Sequence, residues 1–113
     1  MLEVMLDERD GLVAAPDHHR LLFENERVRV IESFIRAGER TPVHTHVLPE
    51  LLLVRSGTHI VRRDESGAVV FDSRGDTSFK LEGIIWTDGT PDPHTIENVG
   101  DDDILVQVIE FKR

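Results

Sequence analysis

Short stretches rich in Val, Ile, Leu and Phe recur along the chain, each closed within a few residues by Gly, Asp, Asn or Pro. They cover residues 28–35, 51–54, 59–61, 69–71, 78–81, 84–86 and 104–111. Each has strand length rather than helix length, and the breaks between them have a physical cause. Ala37-Gly38-Glu39, Asp64-Glu65-Ser66-Gly67, Arg74-Gly75-Asp76, Asp88-Gly89 and Asn98-Val99-Gly100-Asp101 supply residues that tolerate positive φ or hydrogen-bond their own backbone. About eight strands so punctuated predict an all-β sandwich or barrel.

The chain has 113 residues, the size of one domain, with no internal repeat and no low-complexity linker. Counting glycine, roughly 46% of it is apolar, inside the range of globular domains. Thirteen basic and 22 acidic residues leave a net charge of −9. The densest basic clusters are Arg27/Arg29 and Arg62/Arg63, so neither nucleic acid nor an anionic membrane is an expected partner. With no cysteine, disulfides, zinc-thiolate sites, iron–sulfur clusters and thiol nucleophiles are excluded together. The acidic N-terminus lacks the layout of a secretory signal and no apolar run reaches the ~18 residues of a membrane span, so a cytoplasmic protein is the expectation.

Residues 1–20 read as an N-terminal extension and 21–113 as the barrel domain. Leu2, Met5 and Leu6 would share one face of a helix that Gly11 and Pro16 end quickly, and a strand laid against a partner subunit fits equally well. In Val28-Arg29-Val30-Ile31-Glu32-Ser33-Phe34-Ile35 the apolar phase slips near Glu32 and Ser33, as at a β-bulge or where both faces are covered.

The chemistry-bearing residues stand in order. Pro42-Val43-His44-Thr45-His46-Val47-Leu48-Pro49-Glu50 places two histidines at i and i+2, on one face of an extended chain, with a carboxylate four residues further on. His94 follows far downstream in Pro93-His94-Thr95-Ile96-Glu97-Asn98. Any metal here must sit on imidazole and carboxylate.

From Gly38 to Gly57 the spacing Gly-x5-His-x-His-x3-Glu-x6-Gly resembles the first sequence motif of the cupin family at every specified position. The second cupin motif, G-x5-P-x-G-x2-H-x3-N, is met at Gly83, His94 and Asn98, while Gly89 stands where proline is expected and Pro91 where glycine is. The resemblance spans residues 23–111. It implies a small double-stranded β-helix, or jelly-roll, barrel with a metal inside, and the family's ligands fall on His44, His46, Glu50 and His94.

Three neutral imidazoles and one carboxylate suit a divalent first-row ion with two positions left open, and do not choose among Fe, Mn, Ni, Co, Cu and Zn; iron(II) is the expectation that accompanies the dioxygenase reading below. Glu50 could instead pair with an arginine. Asn98 reads as a turn residue in a hairpin connection, and Gly38, Gly57 and Gly83 as backbone positions that side chains would oppose. His18 and His19 read as surface residues, and His59 could face either side of its strand. If Glu50 points inward, Leu52 and Val54 share its face, and Leu51 and Leu53 face a second layer or a partner. Trp86, the sole tryptophan, reads as either core or a wall of the cavity. The surplus apolar face predicts a homodimer.

The function expected from the resemblance and this donor set is a non-haem iron(II) dioxygenase acting on a small organic molecule. Two alternatives stand beside it. One is a small-ligand-binding or sensing module without turnover. The other is a metal-dependent isomerase or lyase, which needs a general base for which His59 is the spare candidate.

Overall fold

The computed structural model describes residues 8–112. A short helix α1 (Gly11–Ala14) precedes nine strands: β1 (His19–Glu24), β2 (Val28–Ile35), β3 (His44–His46), β4 (Glu50–Ser56), β5 (Ile60–Asp64), β6 (Val69–Asp72), β7 (Gly83–Thr87), β8 (Thr90–Asn98) and β9 (Ile104–Phe111). They form a five-stranded sheet in the order β1-β2-β9-β4-β7 and a four-stranded sheet in the order β3-β8-β5-β6, all strand pairs antiparallel. This is the expected all-β jelly roll. Among the described residues no helix is long and apolar enough to cross a membrane. The helical face drawn through Leu2, Met5 and Leu6 lies outside the described residues.

Strand register explains the layout of the interior. β9 turns Ile104, Val106, Val108 and Glu110 inward, and all four are buried. Across the larger sheet Arg29 is paired with Glu110, Glu110 with Glu50, and Glu50 with Thr87. The next inward row runs Ile31, Val108, Leu52 and Ile85. One end of the sandwich is therefore lined by a polar row and the rest is apolar, with Ile31, Ile35, Ile60, Ile104, Val106 and Val108 as the buried core.

Three expectations are corrected. No bulge interrupts β2 at Glu32 or Ser33, since its register with β9 is continuous from Val28 to Ile35. The apolar phase slips because Arg29 and Ser33 occupy inward positions alongside Ile31 and Ile35. Residues 78–81 are not a strand: Asp76 accepts from the backbone N–H and hydroxyl of Ser78, and the resulting turn drops Phe79 and Leu81 against the core from a loop. The Asn98–Asp101 turn is no hairpin, because β8 and β9 belong to different sheets. Asn98 is nonetheless a turn residue, its side-chain amide donating to the carbonyls of Ile35 and Asp102 while its oxygen accepts from Gly100 N–H. Beyond the expected strands, β8 forms despite two prolines; it pairs with β5 through residues 94–98 and with β3 at His94 and Thr90, so that neither Pro91 nor Pro93 stands at a paired position.

Glycine matters most at two positions. Gly57 has φ +128, and a Cβ there would lie 2.9 Å from side-chain atoms of Ile104 and Leu81. Gly89 has φ +101, and a Cβ would meet the carbonyl oxygens of Leu48 at 2.9 Å and His46 at 3.0 Å. Proline, whose ring fixes φ near −65°, cannot take that conformation, which is why the expected proline is absent.

The polar row is held by a buried ion cluster. Arg29 Nε donates to Glu110 Oε1 at 2.8 Å, Nη2 contacts the same oxygen, and the guanidinium also donates to both oxygens of Asp10 at 3.0 and 3.3 Å. Arg29, Glu110 and Asp10 are all buried. Removing one member leaves the others charged and unpaired in a low-dielectric interior. Arg29→Met is therefore expected to lower stability by about 3–5 kcal/mol, read from the denaturant midpoint; a loss under about 1 kcal/mol, the scale of exposed pairs, would contradict this role.

Candidate metal centre

β3 and β8 pair so that His44 stands directly opposite His94, and β8 in turn sets His94 opposite Asp64 on β5. Their ring centroids are 4.7 Å apart. His46 lies 4.9 Å from His44 and 6.0 Å from His94. Glu50, first residue of β4, reaches in from the opposite sheet and is buried. The four residues predicted as ligands therefore line one cavity of about 150 Å³, walled by Leu52, Ile60, Ile96, Val106 and Val108.

A fifth group is in the cluster. His19, expected on the surface, is buried, with its ring 4.9 Å from His44 and 5.1 Å from His46. It is carried there by the segment before β1, which lies against β3: Asp10 bridges to Thr45, and Thr45 N–H donates to the Arg9 carbonyl at 2.7 Å. Asp10 also caps α1 by accepting from Leu12 N–H. Gly11 leaves room for the rings, since a Cβ there would stand 2.7 Å from His46 Cε1 and 3.2 Å from His19 Nε2. His18, by contrast, is half-buried and turned away to the Phe34 carbonyl.

One donor atom from each of His19, His44 and His46 lies within 4.8 Å of the other two, and the same holds for His46, Glu50 and Glu110. The tautomers suit a cation. His19 Nδ1 contacts the Ala15 carbonyl at 2.9 Å, His44 Nδ1 that of Pro42 at 2.8 Å, and His94 Nδ1 that of Asp92 at 2.7 Å. A carbonyl only accepts, so each Nδ1 carries the proton and donates it, and each Nε2 is left as a bare lone pair. His46 Nδ1 faces Glu110 Oε2 at 3.5 Å, beyond an ordinary hydrogen bond, a placement from which Glu110 would orient the ring towards an ion. Glu50 Oε1 accepts from the Thr87 hydroxyl at 3.3 Å, while its Oε2 is buried with no hydrogen-bond partner. Bare nitrogens and an orphaned carboxylate oxygen at one end of an apolar cavity are donors that suit a divalent first-row ion, with His94 outside both groups of closely spaced donor atoms.

The electrostatics agree. Burial, reinforced by His46, lowers the pKa of His19 to about 4 and that of His44 to about 3. Burial, with His46 and Arg62 beside it, lowers His94 to about 4 against the opposing Asp92 carbonyl. For His46 burial also opposes charge, but the carboxylates of Glu110, Glu50 and Asp10 outweigh it and raise its pKa. Burial raises Glu50, aided by the charge of Glu110. Glu110 is held low because Arg29 and His46 overcome its burial.

Other residues singled out in the sequence lie elsewhere. Trp86 is 54% exposed, donates to Asp88 and stands beside Phe111; it is not a wall of the cavity, because the register of β7 turns it to the outer face with Leu51. His59 is engaged by the Ser73 hydroxyl at 2.9 Å, outside the cavity. Leu52 lines the cavity as expected and Val54 packs against the core. Glu110, Asp10 and Arg29 were not singled out as site residues; Glu110 and Arg29 were signalled only as an acid and an arginine at inward positions of otherwise apolar strands, and Asp10, which caps α1, by nothing in the sequence.

No family model matches the chain, and no curated protein sequence matches it. Solved structures do. A cupin domain from Bordetella pertussis Tohama I is 19% identical with a TM-score of 0.65, over 84% of this chain and 92% of that one. A cupin family protein with a double-stranded β-helix fold from Methanocaldococcus jannaschii is 16% identical with a TM-score of 0.57, over 82% and 77% of the two chains. The DMSP lyase of Ruegeria pomeroyi DSS-3 is 14% identical with a TM-score of 0.50, over 78% and 40%. The chain has the cupin fold. The resemblance first carried by the spacing around His44, His46 and Glu50 coincides with the polar end of this barrel.

The depressed histidines set a pH dependence for the metal-free protein. An unfolded histidine takes up its proton near pH 6.5, whereas His19, His44 and His94 do so only near 4, 3 and 4. Between those values the unfolded state binds more protons, so stability present above pH 6.5 is lost as pH falls towards 4. His46 acts in the opposite sense, one group against three. The denaturant midpoint of metal-free protein is expected to fall from pH 7 to pH 5, and to fall less in His19→Gln; a flat profile would contradict neutral buried rings.

Proposed function

We propose that this cupin holds a divalent metal, iron(II) in the first instance, and acts as a non-haem dioxygenase on a small organic molecule. The observation that carries the reading is the set of imidazoles whose Nδ1 protons are committed to backbone carbonyls while their other nitrogens are bare, at the end of an apolar cavity. His44, His46, Glu50 and His94 would hold the ion, and His19 joins them from the N-terminal segment. When bound, such an ion supplies redox chemistry that side chains lack. The protein's part is to fix the donors, through Pro42, Asp92, Ala15, Glu110 and Thr87, and to exclude water with Leu52, Ile96 and Val108.

Isomerase or lyase chemistry needs a general base free of the metal. The DMSP lyase shares the fold, but His59, the spare candidate here, is held by Ser73 outside the cavity. Glu110 is committed to Arg29, and the dioxygenase is therefore preferred.

Metal content of freshly purified, untagged protein is the first measurement. Near-stoichiometric iron, with oxygen uptake on a diketone, catechol or thiol, is the expected result; saturable binding without product would make this a ligand-binding cupin instead. His46→Ala is expected to retain the fold and lose most of the metal, and His19→Ala to weaken metal binding about 10- to 100-fold. Unchanged metal content in His46→Ala would overturn the site.

We also propose that two copies associate through the outer face of β7. Ile84 and Trp86 are 70% and 54% exposed there, opposite Leu51 and Leu53 on β4, and β7 is a sheet edge. An apolar, unpaired edge is self-complementary under two-fold symmetry. Light scattering is expected to give a dimer that Trp86→Lys converts to monomer without loss of fold; a monomeric wild type at micromolar concentration would exclude it.

A further inference from the structure

Arg62 is the cationic side chain lining the cavity. It shares the inward face of β5 with Ile60, between Ile96 and Phe71 on the neighbouring strands. Its Nε is buried without a hydrogen-bond partner, and no ion pair or hydrogen bond engages its guanidinium among the described residues. The next residue, Arg63, also has a buried Nε without a partner, but its terminal nitrogens meet the Gly67 carbonyl and Glu97. Glu50 shares the cavity but stands on the opposite sheet, held by Thr87. A buried Nε–H with no acceptor, beside apolar walls and with Glu50 acting on the guanidinium through its charge alone, costs free energy that an acceptor on a ligand would recover.

Charge points the same way. With the histidines neutral, as ligation requires, the cluster and cavity contain two arginines, Arg29 and Arg62, and three carboxylates, Asp10, Glu50 and Glu110. A divalent ion added to these leaves one positive charge uncompensated, and the planar guanidinium fork is matched to a carboxylate.

We infer that the cavity takes a small monocarboxylate, its carboxylate on the Arg62 guanidinium and its apolar remainder against Leu52, Ile60 and Ile96. A cavity of about 150 Å³ is the size that accommodates a benzene-sized body. The inference names the substrate class for the metal-dependent reading above and rests on it for the charge balance, but the unpartnered arginine is independent of the metal.

The test is calorimetric titration of isovalerate and of its neutral isostere isovaleramide into the full chain, zinc-loaded and metal-free. The acid is expected to bind about tenfold or more tighter than the amide in both forms, a step of ~1.4 kcal/mol. Arg62→Met should abolish the preference in the metal-free form while zinc content and thermal midpoint stay at wild-type values. Arg62→Lys, which keeps the charge but not the fork, should fall between, and it decides the matter if the methionine variant fails to fold. Equal binding of acid and amide to metal-free wild type, no binding of either, or a preference that survives loss of Arg62 would each overturn the inference. A wild type that takes up no zinc yet prefers the acid through Arg62 would overturn the metal site and leave the carboxylate site standing.

Discussion

Arg29 is the residue on which the arrangement of the site rests. It occupies an inward position on β2, where its neighbours along the strand are Ile31 and Ile35, and it survives there because two carboxylates from distant parts of the chain meet it. Glu110 comes from the last strand and Asp10 from the segment before the first. The cluster links the N-terminal segment to the main sheet, and it fixes Glu110 beside His46. Buried ion pairs often contribute little net stability because desolvation offsets attraction. Here the pair also specifies a position: an apolar replacement could fill the space but would not aim a carboxylate at an imidazole.

The N-terminal segment is consequently part of the site. Asp10 anchors it, Gly11 lets the backbone approach the rings of His46 and His19, and the Ala15 carbonyl sets the tautomer of His19. Each contact is short-range and directional, and none survives a shift of one residue. The segment thereby covers one side of the histidine cluster and contributes an imidazole that lies outside both cupin motifs.

Legibility followed the range of the interactions. His44 and His46 share a face by the period of a strand, Glu50 lies within reach of the same local segment, and turn residues marked most strand ends. All of this is local chemistry that a sequence displays directly. His94 was reachable through the spacing of a second motif. Arg29, Glu110, Asp10 and His19 were not legible, because what makes each of them functional is a partner far away in the chain: Glu110 is 81 residues from Arg29. Arg29 and Ser33 even produced a misleading signal, since a polar residue at an inward position looks like a slipped register until its partner or cavity is known. Trp86 erred in the opposite direction. Its size suggested the core or a wall of the cavity, while period two on β7, counted from the inward Thr87, sends it outside.

The two sheets divide the labour of the cavity. The larger sheet brings Glu50, Glu110 and Arg29 into one row, an arrangement whose acids are held by fixed donors and cations. The smaller sheet brings His44 and His94 into a facing row, with Arg62 and Ile96 one pleat further along. Because successive inward positions on a strand are two residues apart, Arg62 on β5 stands next to the level of His94 but cannot replace it. Strand register alone thus places the imidazoles at one level and a cationic fork at the adjacent one. A molecule able to span the two levels would need a polar group at one end and an apolar body beside it. Against the chain's overall charge of −9, Arg62 is a local cationic feature of the cavity that strand register puts in place.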